Sequence, residues 1–230
     1  MARVREETTV SYSRAEWALI WLGFPLIGAG AGWGLQAAAG WVAGLAWAPF
    51  QGPFKLVASI DQPWATIGAL ALGAIAGVVV ALLAAADVLQ VRVGGDTVAV
   101  SRGGKPAREF PRASVTGVFQ DAKHLVLLGE GTAELLREKH DLTEARLRQA
   151  FTAHGWPWLP DGDPWAGQYR RFVDDDPDLP PAANALLKAR AVAVSKDDGH
   201  DLAELRQELT KLGVVVRDEK KRQYWRLVTD

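Results

Sequence analysis

Residues 64–86 read WATIGALALGAIAGVVVALLAAA, a run of 23 residues without a charged side chain. A helix needs roughly 20 apolar residues to cross the hydrocarbon core of a bilayer, so this run predicts a membrane-spanning helix. Upstream, residues 17–54 also carry no charge, and they are too many for one untilted span. We place the first span at about residues 16–38, so residues 16–87 are predicted to form a membrane α-helical hairpin with an interfacial loop.

The loop between the two spans allows two interpretations. Residues 40–54 contain Trp41, Trp47, Pro49 and Pro53. Tryptophan is enriched at the depth of the lipid headgroups, which favours an interfacial position for this segment. The alternative is a short third span, whose irregular backbone would need cover from protein.

Small residues recur four apart within the hydrophobic segments, at Gly28/Gly32, Gly30/Gly34, Gly40/Gly44 and Gly73/Gly77. In lipid, close approach of helix backbones is a main source of affinity between helices. These positions are therefore candidates for the contact between the spans, and the Gly28/Gly32 and Gly73/Gly77 faces are candidates for joining copies of the chain. The other interpretation is that they reflect a composition rich in glycine and alanine.

Basic residues flank the hairpin. Arg3, Arg5 and Arg14 precede the first span, Arg92, Arg102 and Lys105 follow the second, and the intervening loop holds only Lys55. Cytoplasmic segments next to spans carry an excess of lysine and arginine. The pattern predicts a multi-pass protein of the cell (inner) membrane with both termini, including an N-terminal arm over residues 1–15, in the cytoplasm.

The remainder of the chain is water-facing, because residues 87–230 hold 22 basic and 23 acidic side chains. The chain has no cysteine, which excludes disulfides, thiolate metal sites and cysteine nucleophiles. Residues 103–105 (GGK) lack the flanking glycine and hydroxyl residue of a phosphate-binding P-loop. His124, His140 and His154 are scattered without the spacing of metal ligands. We therefore expect no catalytic residue, no metal and no cofactor, which means that the protein is not an enzyme.

Residues 88–159 alternate between apolar and polar side chains, which predicts short strands at about 88–93, 97–100, 108–110, 114–120, 124–128 and 133–137. An amphipathic helix is predicted to follow at about 143–154. Short strands closed by one C-terminal helix describe a small β-barrel. The segment resembles the bacterial pleckstrin-homology-like (PH-like) domain in Val98–Arg102, Phe110–Val115, Lys123–Leu127 and Ala150–Trp158. The resemblance implies a binding or scaffolding module beside a membrane, without chemistry of its own.

Basic residues recur in the first half of this module, at Arg102, Lys105, Arg108 and Arg112. Basic clusters next to a span attract anionic headgroups, so these residues are a candidate patch for lipid or phosphate. The alternative is that they are charged strand edges that discourage aggregation.

Residues 160–181 are rich in proline and aspartate, which predicts an extended, solvated linker. Residues 182–230 are predicted to form helices at about 182–195 and 201–211, followed by a β-hairpin with a turn at 218–222. This last segment resembles the C-terminal anticodon-recognition domain of cysteinyl-tRNA synthetase in Leu187–Arg190, Leu202–Leu209, Leu212–Asp218 and Trp225–Arg226. The fold class is thus a membrane helical hairpin followed by two small domains of mixed α+β type.

The synthetase resemblance implies contact with RNA through Arg206, Asp218, Trp225 and Arg226. Arginine binds phosphates or base edges, and a tryptophan ring stacks on an unpaired base. The catalytic domain and zinc site of the synthetase have no counterpart here, so aminoacylation is excluded. The alternative is that Trp225 caps a small hydrophobic core and Arg206 is an ordinary surface residue.

Two hypotheses follow for the whole chain. The leading one is a non-enzymatic, membrane-anchored binding or scaffold protein whose partners are the lipid bilayer and an unknown cytoplasmic protein. The second is a membrane-tethered factor that contacts tRNA or ribosomal RNA. They differ in whether the C-terminal domain binds RNA in a salt-dependent manner.

Overall fold

The computed structural model describes residues 7–45, 52 and 59–229. The chain divides into two compact units. The span unit contains residues 10–91 and 100–108, and the head unit contains residues 1–9, 92–99 and 109–230.

The described strands are β1 (Thr8–Val10), β2 (Leu89–Val93), β3 (Thr97–Arg102), β4 (Arg108–Pro111), β5 (Gly117–Asp121), β6 (His124–Leu128), β7 (Glu134–Lys139), β8 (Arg170–Arg171), β9 (Val214–Glu219) and β10 (Arg222–Leu227). The described helices are α1 (Arg14–Ala18), α2 (Phe24–Ala43), α3 (Trp64–Ala86), α4 (Glu144–Ala153), α5 (Pro181–Lys196) and α6 (Gly199–Lys211). One π-helical turn, Leu19–Gly23, joins α1 to α2.

Two helices in the span unit are long and apolar enough to cross a membrane, as predicted. The first runs over Arg14–Ala43 and begins at a capping box, in which Ser13 accepts from the amide of Glu16 and Glu16 accepts from the amide of Ser13. It is longer than the predicted residues 16–38, whereas the second, Trp64–Ala86, agrees with residues 64–86. Residues 46–51 and 53–58 lie outside the described residues, and the choice between an interfacial loop and a third span at 40–54 falls largely there.

The glycine repeats form the contact between the two spans at half of the predicted positions. A Cβ atom added to Gly28 would overlap the carbonyl oxygen of Gly73, and one added to Gly32 would overlap that of Ala69. A Cβ atom at Gly77 would meet the carbonyl oxygen of Phe24 in the same way. The prediction of close packing at Gly28/Gly32 and Gly73/Gly77 is therefore confirmed.

The other glycines of the first span face away from the second. A Cβ atom at Gly30, Gly34 or Gly40 would have no neighbour within 4 Å. Within one chain, the Gly28/Gly32 and Gly73/Gly77 faces contact each other. The prediction that these faces join copies of the chain stays a prediction.

The strands form three open sheets, with the orders β1-β2-β3-β4, β5-β6-β7 and β8-β10-β9. The predicted barrel is wrong, since no closed sheet is formed by the described strands. The free edge of β5 is occupied by the segment after α4: the amide of Val118 donates to the carbonyl of Pro157 at 2.9 Å, and the amide of Leu159 donates to the carbonyl of Val118 at 2.8 Å. This edge is therefore unavailable to β4, and the sheet stays open.

The predicted linker is not extended and solvated throughout. Residues Arg170–Arg171 form β8 and pair with Tyr224 and Trp225 of β10. Leu179 is buried in a core with Leu187, Leu209 and Trp225. Apolar side chains within the proline- and aspartate-rich segment thus outweigh its tendency to remain solvated, and the segment becomes part of the C-terminal fold.

The C-terminal hairpin is tighter than predicted. Strands β9 and β10 pair in register from Arg222 opposite Glu219 to Leu227 opposite Val214, which leaves only Lys220 and Lys221 in the turn. Both lysines have positive φ angles, 47° and 63°. A two-residue turn of this kind matches the right-handed twist of the strands, although glycine and asparagine adopt it more readily than lysine.

Candidate functional site

A charged cluster inside the head unit connects the PH-like strands to the C-terminal domain. Its members, here called the junction network, are Asp121, Glu134, Arg137, Tyr169, Arg190, Arg206, Arg217 and Asp218. The first three lie on β5 and β7. Of the others, Tyr169 directly precedes β8, Arg190 lies on α5, Arg206 on α6, and Arg217 and Asp218 on β9. Buried charges are costly unless they are paired, so this arrangement demands a specific geometry.

Arg137 is the centre of the PH-like half of the network. Its guanidinium donates to both carboxylate oxygens of Glu134, at 3.0 and 2.8 Å, and to Asp121 at 2.7 Å. The side chains of Arg137 and Glu134 are only 4% and 7% exposed. Burial acts to lower the pKa of Arg137, but the hydrogen bonds and charge of Glu134 outweigh it, so the pKa is raised. Arg137 therefore stays charged.

Three side chains of the C-terminal part reach these carboxylates. The guanidinium of Arg206 lies 3.7 Å from Glu134, and the hydroxyl of Tyr169 lies 3.3 Å from the same carboxylate. Arg217 lies 3.4 Å from Asp121. Burial, followed by the charge of Glu134, raises the pKa of Tyr169 to about 12, so this phenol remains a hydrogen-bond donor at neutral pH.

Within the C-terminal domain, Arg190 and Asp218 form a bidentate pair. The two guanidinium–carboxylate distances are 2.6 and 2.7 Å, and Arg190, only 1% exposed, also donates to the side-chain oxygen of Gln223 at 2.9 Å. Burial acts to raise the pKa of Asp218, but the hydrogen bonds and charge of Arg190 outweigh it and lower the pKa. Burial and the nearby charge of Arg190 lower the pKa of Arg206 to about 10.

A second connection runs through Arg226 and the C-terminal residues. Arg226 is 2% exposed and donates to the backbone carbonyl of Thr132 at 2.7 Å. Its guanidinium also lies 5.5 Å from the ring centre of Trp165 and 5.4 Å from that of Tyr169, where cation–π attraction replaces some of its missing hydrogen bonds. Thr132 and Thr229 exchange two further hydrogen bonds, at 2.9 and 3.1 Å.

The structure places the four predicted RNA-binding residues close together but turns them toward the protein. Arg206 and Asp218 belong to the junction network, and Arg226 contacts Thr132. Trp225 is 2% exposed, and the guanidinium of Arg170 lies 4.9 Å from the centre of its ring. In this conformation the ring offers no free face to a base, and its place in the core agrees with the alternative interpretation of Trp225.

The four residues of the predicted lipid patch have different surroundings. In the span unit, Arg102 donates to the backbone carbonyl and the carboxylate of Asp87, at 2.7 and 3.0 Å, while Lys105 and Arg108 are exposed. In the head unit, Arg112 donates to the backbone carbonyls of His154 and Gly155 and lies 5.3 Å from the ring centre of Trp156. Arg112 is therefore engaged in holding the end of α4.

The histidines lie apart. His140 accepts from the amide of Leu142 at 3.1 Å, and His154 is 2.9 Å from the hydroxyl of Thr8. Burial, followed by the charges of Arg137 and Arg206, lowers the pKa of His124. Within the described residues, the only group with the spacing of metal ligands is His200, Asp201 and Glu204, all exposed on the surface of α6.

The PH-like half of the junction network was not among the predicted site residues. Glu134 and Arg137 stand in a strand whose alternation predicts only a half-buried surface. Their spacing gave no signal of a pair, because i and i+3 lie on opposite faces of a regular strand. They pair here where the register between β6 and β7 shifts.

Two known domain families match the chain. Residues 8–159 match the YqeB-like bacterial PH domain, and residues 176–226 match the cysteinyl-tRNA ligase anticodon binding domain. A protein of Bacillus subtilis (strain 168) described as uncharacterized protein YqeB is 36% identical over 226 residues, which cover 98% of this chain and 94% of that relative. No solved structure matches the chain. Both resemblances are confirmed, and the first includes β1 and both spans as well as the predicted residues 88–159.

Proposed function

The chain belongs to the family of proteins with the YqeB-like bacterial PH domain, and on this basis we propose that it is a non-enzymatic, membrane-anchored binding or scaffold protein. The two spans act as the anchor. The PH-like strands and the anticodon-binding-like domain act as one composite module that presents a single surface to a cytoplasmic protein partner.

The exposure of the two apolar helices supports membrane anchoring. Leu26, Leu72 and Leu83 are 71%, 71% and 68% exposed. Contiguous apolar surface of this extent is rare on soluble monomers, and in lipid it carries no penalty. The basic residues that flank the hairpin support an orientation with both termini in the cytoplasm.

The junction network is the observation that supports a composite binding module most directly. Two of the residues that the synthetase resemblance assigns to RNA, Arg206 and Arg226, are engaged with Glu134 and Thr132 of the PH-like part. These contacts hold the anticodon-binding-like domain against the PH-like part. The remaining surface of that domain is then available to a partner.

A direct experiment combines fractionation with cross-linking. We expect the full chain to remain in membranes after an alkaline carbonate wash and to lose its head to protease added from the cytoplasmic side. Cross-linking in intact cells, followed by detergent extraction, should join the head to a protein. Recovery of the chain in the soluble fraction would contradict the anchor, and cleavage only from the outer side would contradict the orientation.

The RNA hypothesis remains the second candidate, because residues 176–226 match an anticodon-binding domain. An RNA site in this domain would have to use side chains other than Arg206, Asp218, Trp225 and Arg226. A groove of about 210 Å³ beside β8 and β10 is lined by three basic residues, one acidic residue and one aromatic residue, among others: Arg171, Lys221, Arg222, Asp174 and Phe172. Positive charge next to an aromatic side chain suits single-stranded nucleic acid.

Titration of the nanodisc-embedded full chain with tRNA separates the two candidates. The scaffold proposal expects no binding at low salt, where nonspecific RNA contacts are strongest. Salt-dependent binding that is lost in Arg171→Gln/Lys221→Gln and retained in Trp225→Phe would favour the RNA function through the groove.

A further inference from the structure

We propose that the turn between β3 and β4, residues 103–107, is a binding site for the phosphate groups of anionic lipids. Lys105 and Arg108 are its cations. The inference rests on the proposed membrane anchoring, and it adds a ligand class and a site to that anchoring.

The turn is held against the end of the second span. The amide of Gly103 donates to the carbonyl of Val88 at 3.1 Å, and the side chain of Arg102 donates to the carbonyl of Asp87 at 2.7 Å. Val88 and Asp87 are the two residues that follow α3. The turn therefore has a fixed position relative to the span.

Gly103 shows how close the turn lies to the helix end. Its φ angle is +55°, and an added Cβ atom would overlap the carbonyl group of Ala86, the last residue of α3. A residue with a side chain could occupy this position only if the turn moved away from the helix. Glycine thus brings the backbone of the turn into direct contact with the span.

This contact places the turn at the depth of the lipid headgroups. The 23 residues of α3 extend roughly 34 Å at about 1.5 Å per residue, slightly more than the roughly 30 Å of hydrocarbon in a bilayer. Ala86 therefore lies at the edge of the hydrocarbon. Arg14 begins the first span at the same level, since Phe24 and Gly77 are in contact and Arg14 and Ala86 lie about equally far beyond them.

The charge of this region of the span unit is positive. Asp87 is neutralised by Arg102 at 3.0 Å, and the single negative charge of Glu16 is outnumbered by three cations. Lys105, Arg108 and Arg14 are exposed. The side chain of Lys105 makes no ion pair or hydrogen bond with any described residue. A phosphate layer at this depth complements these charges.

The shape of the turn favours lipid over a dissolved anion. An added Cβ atom at Gly104 would have no neighbour within 4 Å, so the turn is an open surface and does not enclose a ligand. An open site binds a free ion weakly. A bilayer presents many phosphates at a fixed distance from the anchored turn, and this high effective concentration compensates for few contacts.

The test compares the full chain in nanodiscs of phosphatidylcholine with and without 30% phosphatidylglycerol. Native mass spectrometry measures which lipids stay bound after release from the disc. We expect phosphatidylglycerol to be enriched over its share of the disc, and the enrichment to fall about fivefold for each charge removed in Lys105→Gln and Lys105→Gln/Arg108→Gln. Lys105→Arg/Arg108→Lys keeps both charges and should keep the enrichment.

Two controls separate the possible failures. Failure of the chain to enter nanodiscs would contradict membrane anchoring itself. Normal insertion with no enrichment, or with equal enrichment in the glutamine and charge-keeping variants, would overturn the lipid site alone. Loss of bound phosphatidylglycerol on addition of millimolar inorganic phosphate would also overturn it, by showing that the turn prefers the free anion.

Discussion

Replacement of Glu134 by glutamine tests whether the junction network holds the C-terminal domain against the PH-like strands. The substitution keeps the shape of the side chain but removes the charge that faces Arg137 at 2.8 and 3.0 Å and Arg206 at 3.7 Å. It leaves two guanidinium groups without this carboxylate in a site where the Glu134 side chain is only 7% exposed.

The size of the effect follows from the geometry. Breaking a buried ion pair by removal of one partner costs about 3–5 kcal/mol. Here Asp121 still pairs with Arg137 at 2.7 Å, and the amide oxygen of glutamine still accepts one hydrogen bond, so we expect about 2–3 kcal/mol. A free-energy loss of that size increases the opening of the contact roughly 30- to 150-fold.

Amide hydrogen exchange of the full chain in nanodiscs measures this opening. The amides of Thr132 and Thr229 report it, because each is bonded across the contact between the two domains. The protection of these two amides against exchange should fall roughly 30- to 150-fold, whereas the protection of amides in the span helices should not change. Glu130→Gln removes an equal charge at an exposed position near β7 and should leave protection unchanged. Unchanged exchange at Thr132 and Thr229 in Glu134→Gln would refute the holding role of the network.

Three further predictions concern the spans, the acid response and the C-terminal core. Gly73→Val should cost about 1–3 kcal/mol, because its side chain would overlap the backbone at Gly28, whereas Gly30→Val should have little effect; thermal unfolding in detergent compares them. Folding lowers the pKa of Asp218, so the stability that its carboxylate contributes is present above its ordinary pKa of about 4 and is lost as the pH falls through the folded-state pKa. The variant Asp218→Asn should therefore be less stable than the native chain at pH 7, and its stability should depend less on pH below about pH 4. Trp225→Ala should destabilise the C-terminal domain by about 3–5 kcal/mol in denaturant titrations, since its ring is buried beside Leu187 and Leu209, and a loss well below 1 kcal/mol would contradict its place in that core.

Local patterns in the chain were sufficient for several elements. The second span was predicted over residues 64–86 and is observed at Trp64–Ala86, because an uninterrupted apolar run and its polar ends define such a helix without reference to the rest of the chain. Helices α5 and α6 and the C-terminal hairpin likewise follow from periodicity and from the residues that resemble an anticodon-binding domain.

The use of individual side chains depended on contacts between distant segments. The glycine repeats at Gly28/Gly32 and Gly30/Gly34 are equivalent as patterns, yet only the first pair faces the second span. Leu179 lies in a proline- and aspartate-rich stretch that predicts a solvated linker, and its burial depends on the core that β9 and β10 supply. Hydropathy averaged along the chain carries no information about which distant residues will pack together.

The amino-acid sequence by itself determined that this protein combines two apolar spans with a PH-like and an anticodon-binding-like segment. Only the tertiary structure decided that the sheets stay open and that Arg206 and Arg226 face the protein. The physical reason is that an arginine has the same chemistry toward an RNA phosphate, a carboxylate or a backbone carbonyl. Its partner is selected by which acceptor the fold brings within about 3 Å and shields from water.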